Sequence, residues 1–167
     1  VEAYTPTGWT PLPPLPHAAF AATACVLNGR LYVMGGLGCN KLQVLEMSEE
    51  NGFSWTVKAD LPAERYDAGS LVHEGRLWLI SGKIDWRPSN SVAIYDIDAD
   101  SWGPGPELPL AVTATGGTYS TTLNGDVCVF SRNGDWVYRN GAWVGAEAWL
   151  GDQHTFSFPA VQETRLG

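Results

Sequence analysis

Basic residues and cysteine are scarce in this chain of 167 residues. It has 10 Lys and Arg against 18 Asp and Glu, which gives a net charge of −8, and the basic residues form no run. A nucleic-acid partner is therefore not expected, because binding to a phosphate backbone needs a basic surface. No apolar run approaches the roughly 18 residues of a membrane span, so a membrane partner is not expected either.

Cysteine and histidine are too few and too dispersed for a metal or redox site. The chain has three cysteines, Cys25, Cys39 and Cys128, and no two of them have the spacing of a zinc or redox pair. It also lacks any Asn-x-Ser/Thr glycosylation acceptor. These features predict a cytoplasmic protein with unpaired, buried thiols. Because its three histidines are far apart in sequence, we expect no metal, no other cofactor and no catalytic residues.

Three segments of the chain repeat one pattern with a period of about 46 residues, which predicts a repeat architecture. In each segment a turn dipeptide precedes an apolar run, as in LNGRLYVMGG from Leu27, HEGRLWLISG from His73 and LNGDVCVFSR from Leu123. Tryptophans keep the same period, and a Leu-Pro pair follows each of the first three. These tryptophans are Trp9, Trp55, Trp102 and Trp143.

Within each repeat the hydrophobic pattern is typical of β-strands. Short runs such as 77–80 are apolar at every position, which predicts strands buried on both faces. Asn28-Gly29 and Asn124-Gly125 are dipeptides that accept the positive φ angles of a tight hairpin turn. No stretch of a dozen residues has helical spacing, so the chain is predicted to be nearly all β.

These residues resemble a kelch repeat, and the resemblance covers essentially the whole chain. Leu61-Pro62 is followed by Arg65, then by AGSLVHEGRLWLISG and SVAIYDIDADSW. The first repeat departs from the family pattern at Ala19 and Leu45, and the third lacks its glycines. The residues that match the double glycine, tyrosine and tryptophan of the family are Gly35, Gly36, Gly82, Tyr95, Trp55, Trp102 and Trp143.

The resemblance implies an all-β fold, a β-propeller built of four-stranded antiparallel blades, with about three and a half to four blades present. We expect a piece of a larger ring of roughly five to seven blades, and closure as a four-bladed ring is the alternative. The expected division is the end of a preceding blade in 1–16, blades in 17–62, 63–109 and 110–149, and a further blade or closing strand beginning in 150–167.

Antiparallel order determines which loops share a face of such a propeller. If strands a to d run outward in each blade, the tight a–b and c–d turns lie at one end. The longer b–c and d–a loops then lie at the other end, where binding is expected. The innermost strands are predicted from the stretches of small residues that begin at His17, Asp67 and Ala114, because small side chains let backbones converge.

Tryptophan and arginine on the longer loops form the candidate binding site, since these residue types are enriched in interface hot spots. Trp86 and Arg87 lie in one b–c loop, and the resemblance implies that Arg65 points toward the ligand. Alternatively, Trp86 packs over its own blade and Arg65 pairs with Asp67 or Glu64. The predicted partner-binding residues are Arg65, Tyr66, Lys83, Asp85, Trp86, Arg87 and Asn90.

Two functions fit this resemblance. The first is a protein-interaction module without enzymatic activity, which presents the b–c and d–a loops to another protein as a ubiquitin-ligase substrate receptor or a scaffold. The alternative is a carbohydrate-active kelch enzyme similar to sialic acid epimerases or mutarotases, with Arg65, Glu64 and His17 as its candidates. Since no dense cluster of catalytic residue types is found, the first function is favoured.

Overall fold

The computed structural model describes residues 1–50, 52–111, 118–131 and 134–147, which are almost entirely extended or in turns. The all-β prediction is confirmed, and these residues include no helix long and apolar enough to cross a membrane. The strands are β1 (Glu2–Thr5), β2 (Gly8–Pro11), β3 (Thr23–Leu27), β4 (Arg30–Met34), β5 (Leu42–Ser48), β6 (Gly52–Val57), β7 (Gly69–His73), β8 (Arg76–Ile80), β9 (Lys83–Ile84), β10 (Arg87–Pro88), β11 (Val92–Asp96), β12 (Ser101–Pro104), β13 (Tyr119–Leu123), β14 (Asp126–Phe130), β15 (Trp136–Arg139) and β16 (Ala142–Gly145).

The strands form three four-stranded antiparallel sheets, which are the predicted blades. The first blade is β3-β4-β5-β6, the second is β7-β8-β11-β12 and the third is β13-β14-β15-β16. Each blade follows chain order from strand a to strand d, and the β9–β10 hairpin lies between strands b and c of the second blade. Strands β1 and β2 form a separate antiparallel hairpin before the first blade. The order places the short turns at one end of the blades and the longer loops at the other.

Two-residue turns join strands a and b in every blade, and both turn residues have positive φ. In the first blade, Asn28 and Gly29 have φ angles of 51° and 74°. Asn124-Gly125 and Glu74-Gly75 adopt the same left-handed conformation. This geometry matches the right-handed twist of the strands, which explains the turns predicted from the Asn-Gly pairs.

The innermost strands begin later in the chain than the small residues predicted. They start at Thr23, Gly69 and Tyr119 rather than at His17, Asp67 and Ala114. Before the first two strands, Ala21 and Asp67 have φ angles of 55° and 54°, so the chain bends there. Most of the predicted third stretch, at 114–117, lies outside the described residues. The small residues of the first two stretches thus belong partly to the d–a connections.

The hydrophobic core lies between the blades, and strand β8 contributes to it from both faces. Leu77 and Leu79 pack between the first and second blades, with Met34, Leu42 and Tyr95 among their neighbours. The alternate residues of the same strand, Trp78 and Ile80, pack between the second and third blades, in a cluster with Leu71, Leu108 and Val129. Because side chains alternate across a strand, an unbroken apolar run serves two neighbouring blades at once.

A tyrosine–tryptophan pair recurs across strands c and d. Tyr95 lies opposite Trp102 in the second blade, with ring centroids 5.2 Å apart, and Tyr138 lies opposite Trp143 at the same separation in the third. Each indole N–H donates to a carbonyl of the preceding d–a connection, such as Ala59 O at 3.1 Å from Trp102 Nε1. These tryptophans therefore connect each blade to the segment that precedes it.

Glycines at the end of strand b let two backbone segments approach closely. The amide of Gly36 donates to the carbonyl of Arg65 at 2.7 Å. Gly35 has a φ of 64°, and a Cβ atom there would collide with the same carbonyl oxygen. Gly82 is the equivalent of Gly36 in the second blade, and a Cβ there would lie 2.7 Å from the carbonyl oxygen of Tyr66.

Substitution of Gly35 by alanine tests the role of this close approach. Gly35→Ala is expected to lower the free energy of unfolding by about 2 to 4 kcal/mol, because it adds steric overlap to backbone strain. Gly29→Ala is the matched control, since Gly29 has a φ of 74° but nothing within 4 Å of its Cβ position. Urea unfolding of both variants provides the measurement. Equal losses of stability would show that the contact with Arg65 is unimportant.

Candidate functional site

A short hairpin carries an exposed tryptophan at the loop end of the second blade. Strands β9 and β10 pair Arg87 with Ile84 and Pro88 with Lys83. The turn residues, Asp85 and Trp86, have φ angles of 49° and 63°. The side chain of Trp86 is 73% exposed. The left-handed conformation is costly for residues with a side chain, so the flanking pairs must hold the turn.

Tyr66 anchors this hairpin to the neighbouring d–a connection. Its amide donates to the carbonyl of Lys83 at 3.3 Å, and the amide of Lys83 donates back to Tyr66 at 2.8 Å. The buried ring of Tyr66 meets the ring of Trp86 edge to face, with centroids 5.6 Å apart. Two predicted residues from different loops, Tyr66 and Trp86, are thus brought into contact. Trp86 is therefore supported by the buried ring of Tyr66, although most of its own side chain is exposed to solvent.

Lys83 lies beside this aromatic pair and is neutralised by Asp67. Its Nζ donates to Asp67 Oδ2 at 2.9 Å and stands 5.6 Å from the ring centroid of Tyr66. The hydrogen bond to the carboxylate raises the pKa of Lys83 above its usual value. Asp67 was not among the predicted binding residues, and its position next to Tyr66 in the sequence was the available signal.

The structure places Arg65 inside the protein, which corrects the prediction that it points toward a ligand. Its side chain is 6% exposed. The guanidinium donates to the carbonyl oxygens of Ser91 at 2.9 Å, Ser81 at 3.3 Å and Leu79 at 3.4 Å, and to Ser91 Oγ at 2.6 Å. Desolvation lowers its pKa to about 10, so the group stays charged at neutral pH. Arg65 therefore ties together the base of the b–c loop.

Glu64 and Asp67, the carboxylates expected as alternative ion-pair partners of Arg65, bind other groups. Glu64 accepts from the amide of Gly38 at 2.8 Å, and Asp67 binds Lys83. The remaining predicted residues differ in role. Asn90 donates to the carbonyl of Leu108 at 3.1 Å and to Glu107 at 3.3 Å, whereas Asp85 and Arg87 are exposed. Among the predicted binding residues, the exposed ones therefore lie at and beside the tip of the β9–β10 hairpin.

The three enzyme candidates do not form a cluster in the described part of the chain. The backbone of His17 is held by the side chain of Gln43, with both of its polar groups bonded. Glu64 is exposed, and the guanidinium of Arg65 is buried against neutral acceptors. No hydrogen bond or ion pair joins these three side chains to one another within the described residues. Among those residues there is also no group of His, Cys, Asp and Glu that could hold a metal.

Two clefts open at the opposite end, where the tight turns meet. One of about 350 Å³ lies between the first and second blades and is lined by Asn28, Arg76 and Asp98. The other, of about 400 Å³, lies between the second and third blades beside His73 and Asp126. Their equivalent places in successive pairs of blades mark them as gaps that arise where blades diverge.

Comparison with known proteins identifies relatives that carry kelch repeats. Kelch-like protein 40 of Xenopus tropicalis is 28% identical over 103 residues, which are 60% of this chain and 17% of that protein. Human Kelch repeat and BTB domain-containing protein 13 is 31% identical over 99 residues, covering 58% of this chain and 22% of that protein. The chain thus spans about a fifth of the length of these relatives. No family model matches the chain.

A solved structure has a similar fold. YjhT aligns with a TM-score of 0.60 and 23% sequence identity, over 71% of this chain and 35% of that one. At this identity the likeness shows the fold alone. The sequence relatives and the structure point to the same fold. The relatives are kelch-repeat proteins, and the structure has three antiparallel blades with recurring tyrosine–tryptophan pairs. The chain is similar to kelch-repeat proteins, and its three blades have the fold of a kelch-type β-propeller.

Proposed function

We propose that this segment is a protein-interaction module that binds its partner through the β9–β10 hairpin. The observation that carries the proposal is the tip of this hairpin, where Trp86 is 73% exposed and lies against the buried ring of Tyr66. The Trp86 and Tyr66 rings adjoin each other within a polar surround, and apolar patches rimmed by polar residues mark interaction sites. Tryptophan is also among the residues that contribute most to binding energy when buried at an interface.

The support beneath the tip favours binding of a partner without rearrangement. The paired amides of Tyr66 and Lys83 and the ion pair with Asp67 hold the hairpin in place. A side chain that is already ordered loses less conformational entropy on binding. Arg87 and Asp85 flank the indole with opposite charges, so the surface offers hydrogen bonds around an apolar centre.

The finer proposal is that the module recognises substrates of a ubiquitin ligase, or acts as a scaffold. Its support is that the name of the human relative combines kelch repeats with a BTB domain. A BTB or F-box segment is the neighbour that the kelch resemblance leads us to expect for a ligase receptor. A protein partner, in the cytoplasm, is proposed in either case.

Replacement of Trp86 by alanine tests the proposal. Trp86→Ala is expected to weaken partner binding by about 2 kcal/mol or more, roughly 30-fold, because the partner loses its central aromatic contact. The folded chain should keep its stability, since the indole is mostly in solvent. Quantitative affinity capture from the source cells, followed by measurement of the dissociation constant of the recovered protein, gives the readout.

Met47→Ala is the matched control for this experiment. Met47 is 71% exposed, close to the exposure of Trp86, but it lies near the c–d turn at the other end of the first blade. The control should capture the same partner as the unchanged chain. If Trp86→Ala also captures it with unchanged affinity, the hairpin is not the binding site.

A further inference from the structure

The turn of the β9–β10 hairpin differs from the other left-handed hairpin turns of the chain. Four other hairpin turns have two successive residues with positive φ, and glycine is the second residue of each. These turns are Asn28-Gly29, Glu74-Gly75, Asn124-Gly125 and Asn140-Gly141. In the β9–β10 turn the second residue is Trp86, although its φ of 63° is close to the 71° of Gly75. No other aromatic residue of the described ranges has a positive φ.

The presence of tryptophan in this conformation costs stability. In left-handed backbone the Cβ atom lies too close to the following carbonyl oxygen, whereas glycine has no Cβ. For a bulky side chain a positive φ is a true outlier. The indole gains little packing in return, since 73% of it is exposed to solvent. A local rule that is broken without a gain in stability is expected at a functional site.

The strained turn fixes the position of the indole relative to the second blade. The turn is closed by the pairing of Ile84 with Arg87, so the backbone angles of its two residues determine where the side chain of Trp86 lies. The first of these residues, Asp85, has a φ of 49°. Aspartate is one of the few residue types that accept this conformation. Asp85 therefore allows the turn to form with a tryptophan at its second position.

The tip of the hairpin is convex. Trp86 and the residues on either side of it, Asp85, Arg87 and Pro88, are all exposed. The indole thus extends from the surface of the blade and is not part of the wall of a groove. Aromatic residues contribute most to binding energy when they are fully desolvated in well-packed pockets. An indole at a convex tip reaches that state when the pocket belongs to the partner.

We propose that Asp85 is a positioning residue that presents Trp86 to an apolar pocket on a folded protein partner. This inference rests on the proposed function, and it adds that the partner supplies the concave surface while this chain supplies the inserted group. Since the turn has its conformation before binding, little conformational entropy is lost when the indole enters the pocket.

The strain in the turn is measured by comparing glycine and alanine at position 86. Trp86→Gly and Trp86→Ala both remove the indole, but only glycine removes the overlap of Cβ with the backbone. The folded-to-unfolded ratio of Trp86→Gly is expected to be about fivefold or more above that of Trp86→Ala in urea unfolding. Equal stability of the two variants would mean that the turn is not strained, which would overturn the proposal.

Arg87 provides the matched control, because it is the next residue of the chain and its φ is not positive. At this position the order of stability should reverse. Arg87→Gly should be less stable than Arg87→Ala, since glycine loses more conformational freedom on folding. The same order at both positions would show that the difference at position 86 does not come from left-handed backbone, and it would also overturn the proposal.

The positioning role is tested by the affinity of Asp85→Gly for the protein that is recovered with the unchanged chain in the affinity capture described above. This variant keeps the indole but frees the turn, so its dissociation constant is expected to rise about fivefold or more while its stability does not fall. A merely structural role would lower stability and affinity together. Asp85→Asn removes the charge but retains a residue type that accepts positive φ, and it should rescue the affinity to within about twofold of the unchanged chain.

The results separate this inference from the proposed function. If Trp86→Ala weakens binding but Asp85→Gly binds as the unchanged chain does, the positioning role is wrong and the proposed function stands. If Asp85→Asn loses as much affinity as Asp85→Gly, the aspartate acts through its charge and the positioning role is again wrong. If Trp86→Ala binds with unchanged affinity, both proposals are wrong.

Hydroxyl-radical footprinting of the complex with the recovered protein tests the pocket. Oxidation of Trp86, measured by mass spectrometry, is expected to slow by about tenfold or more in the complex, because a pocket encloses the indole. Met47, which is 71% exposed at the other end of the first blade, should keep its rate of oxidation. A smaller decrease at Trp86 would mean that the partner covers only one edge of the ring, and it would overturn the assignment of a pocket.

Discussion

Arg65→Ala is expected to lower the free energy of unfolding by about 3 to 5 kcal/mol, because truncation leaves a cavity and removes hydrogen bonds from a charged donor. The guanidinium reaches carbonyls on both sides of the b–c loop, at Ser81 and Ser91. Loss of these bonds should loosen the base of the β9–β10 hairpin as well. Urea denaturation followed by tryptophan fluorescence measures the change.

Arg87→Ala is the control for this variant, because Arg87 is an exposed arginine of the same loop. It should change stability by no more than about 0.5 kcal/mol. A result in which both variants are equally stable would show that the bonds of Arg65 contribute nothing.

Trp102→Ala is expected to cost about 3 to 5 kcal/mol, the range for removal of a large aromatic from packed surroundings. The indole contacts Tyr95 and donates to the carbonyl of Ala59. The amide of Ala59 donates in turn to Asp100, which also accepts from the hydroxyl of Tyr95 at 2.6 Å. Residues of the second blade therefore hold both polar groups of Ala59, and loss of the tryptophan weakens this connection between blades.

Two further variants separate the contributions in this contact. Trp102→Phe keeps an aromatic ring but removes the N–H donor, so it should cost only about 1 kcal/mol for the hydrogen bond plus a small packing loss. Trp9→Ala changes the same position in the exposed hairpin, where the side chain is 69% free, and it should cost less than about 1 kcal/mol in the isolated chain. Thermal or urea unfolding of the three variants gives the comparison. Similar losses for Trp9→Ala and Trp102→Ala would contradict the role assigned to the connecting segment.

Acid should weaken the same connection. Hydrogen bonds from Tyr95 and from the amide of Ala59 lower the pKa of Asp100 below its usual value. A carboxyl whose folded-state pKa is depressed contributes stability above its unfolded pKa, and that contribution is lost as pH falls through the folded value. Asp100→Asn should therefore reduce the fall in stability between neutral and acidic pH. An unchanged pH profile in this variant would show that the carboxylate is not part of the connection.

Local features of the fold could be predicted from the sequence because they depend on neighbouring residues. The turn at Asn28-Gly29 requires positive φ angles, which these two residue types accept. The run at 77–80 is apolar throughout because its alternating side chains enter two different cores. The start of each innermost strand was predicted less accurately, because the side chains of Ala21 and Asp67 give no sign of their left-handed backbone conformation.

The role of the predicted site residues in binding stays a prediction, although the structure shows the environment of each side chain. Trp86 was chosen because its residue type is frequent in binding hot spots, and Arg65 because the kelch resemblance implies that it points toward a ligand. The structure places the two side chains in different environments. Trp86 lies at the tip of a hairpin and is 73% exposed, whereas Arg65 is 6% exposed beneath the loop. Composition cannot distinguish these environments, because burial depends on which distant segments lie above a side chain.

By itself, the sequence determined the period, the approximate positions of the strands and the tight a–b turns, since hydrophobic alternation and backbone preference act over a few residues. The succession of antiparallel blades was implied by the resemblance to kelch repeats. The tertiary structure alone decided which polar groups meet across blades. Lys83 pairs with Asp67, Arg65 donates to neutral carbonyls, and Trp102 donates to the carbonyl of Ala59. These contacts join residues from different loops or blades, and a hydrogen bond forms only where packing brings its two groups within about 3 Å.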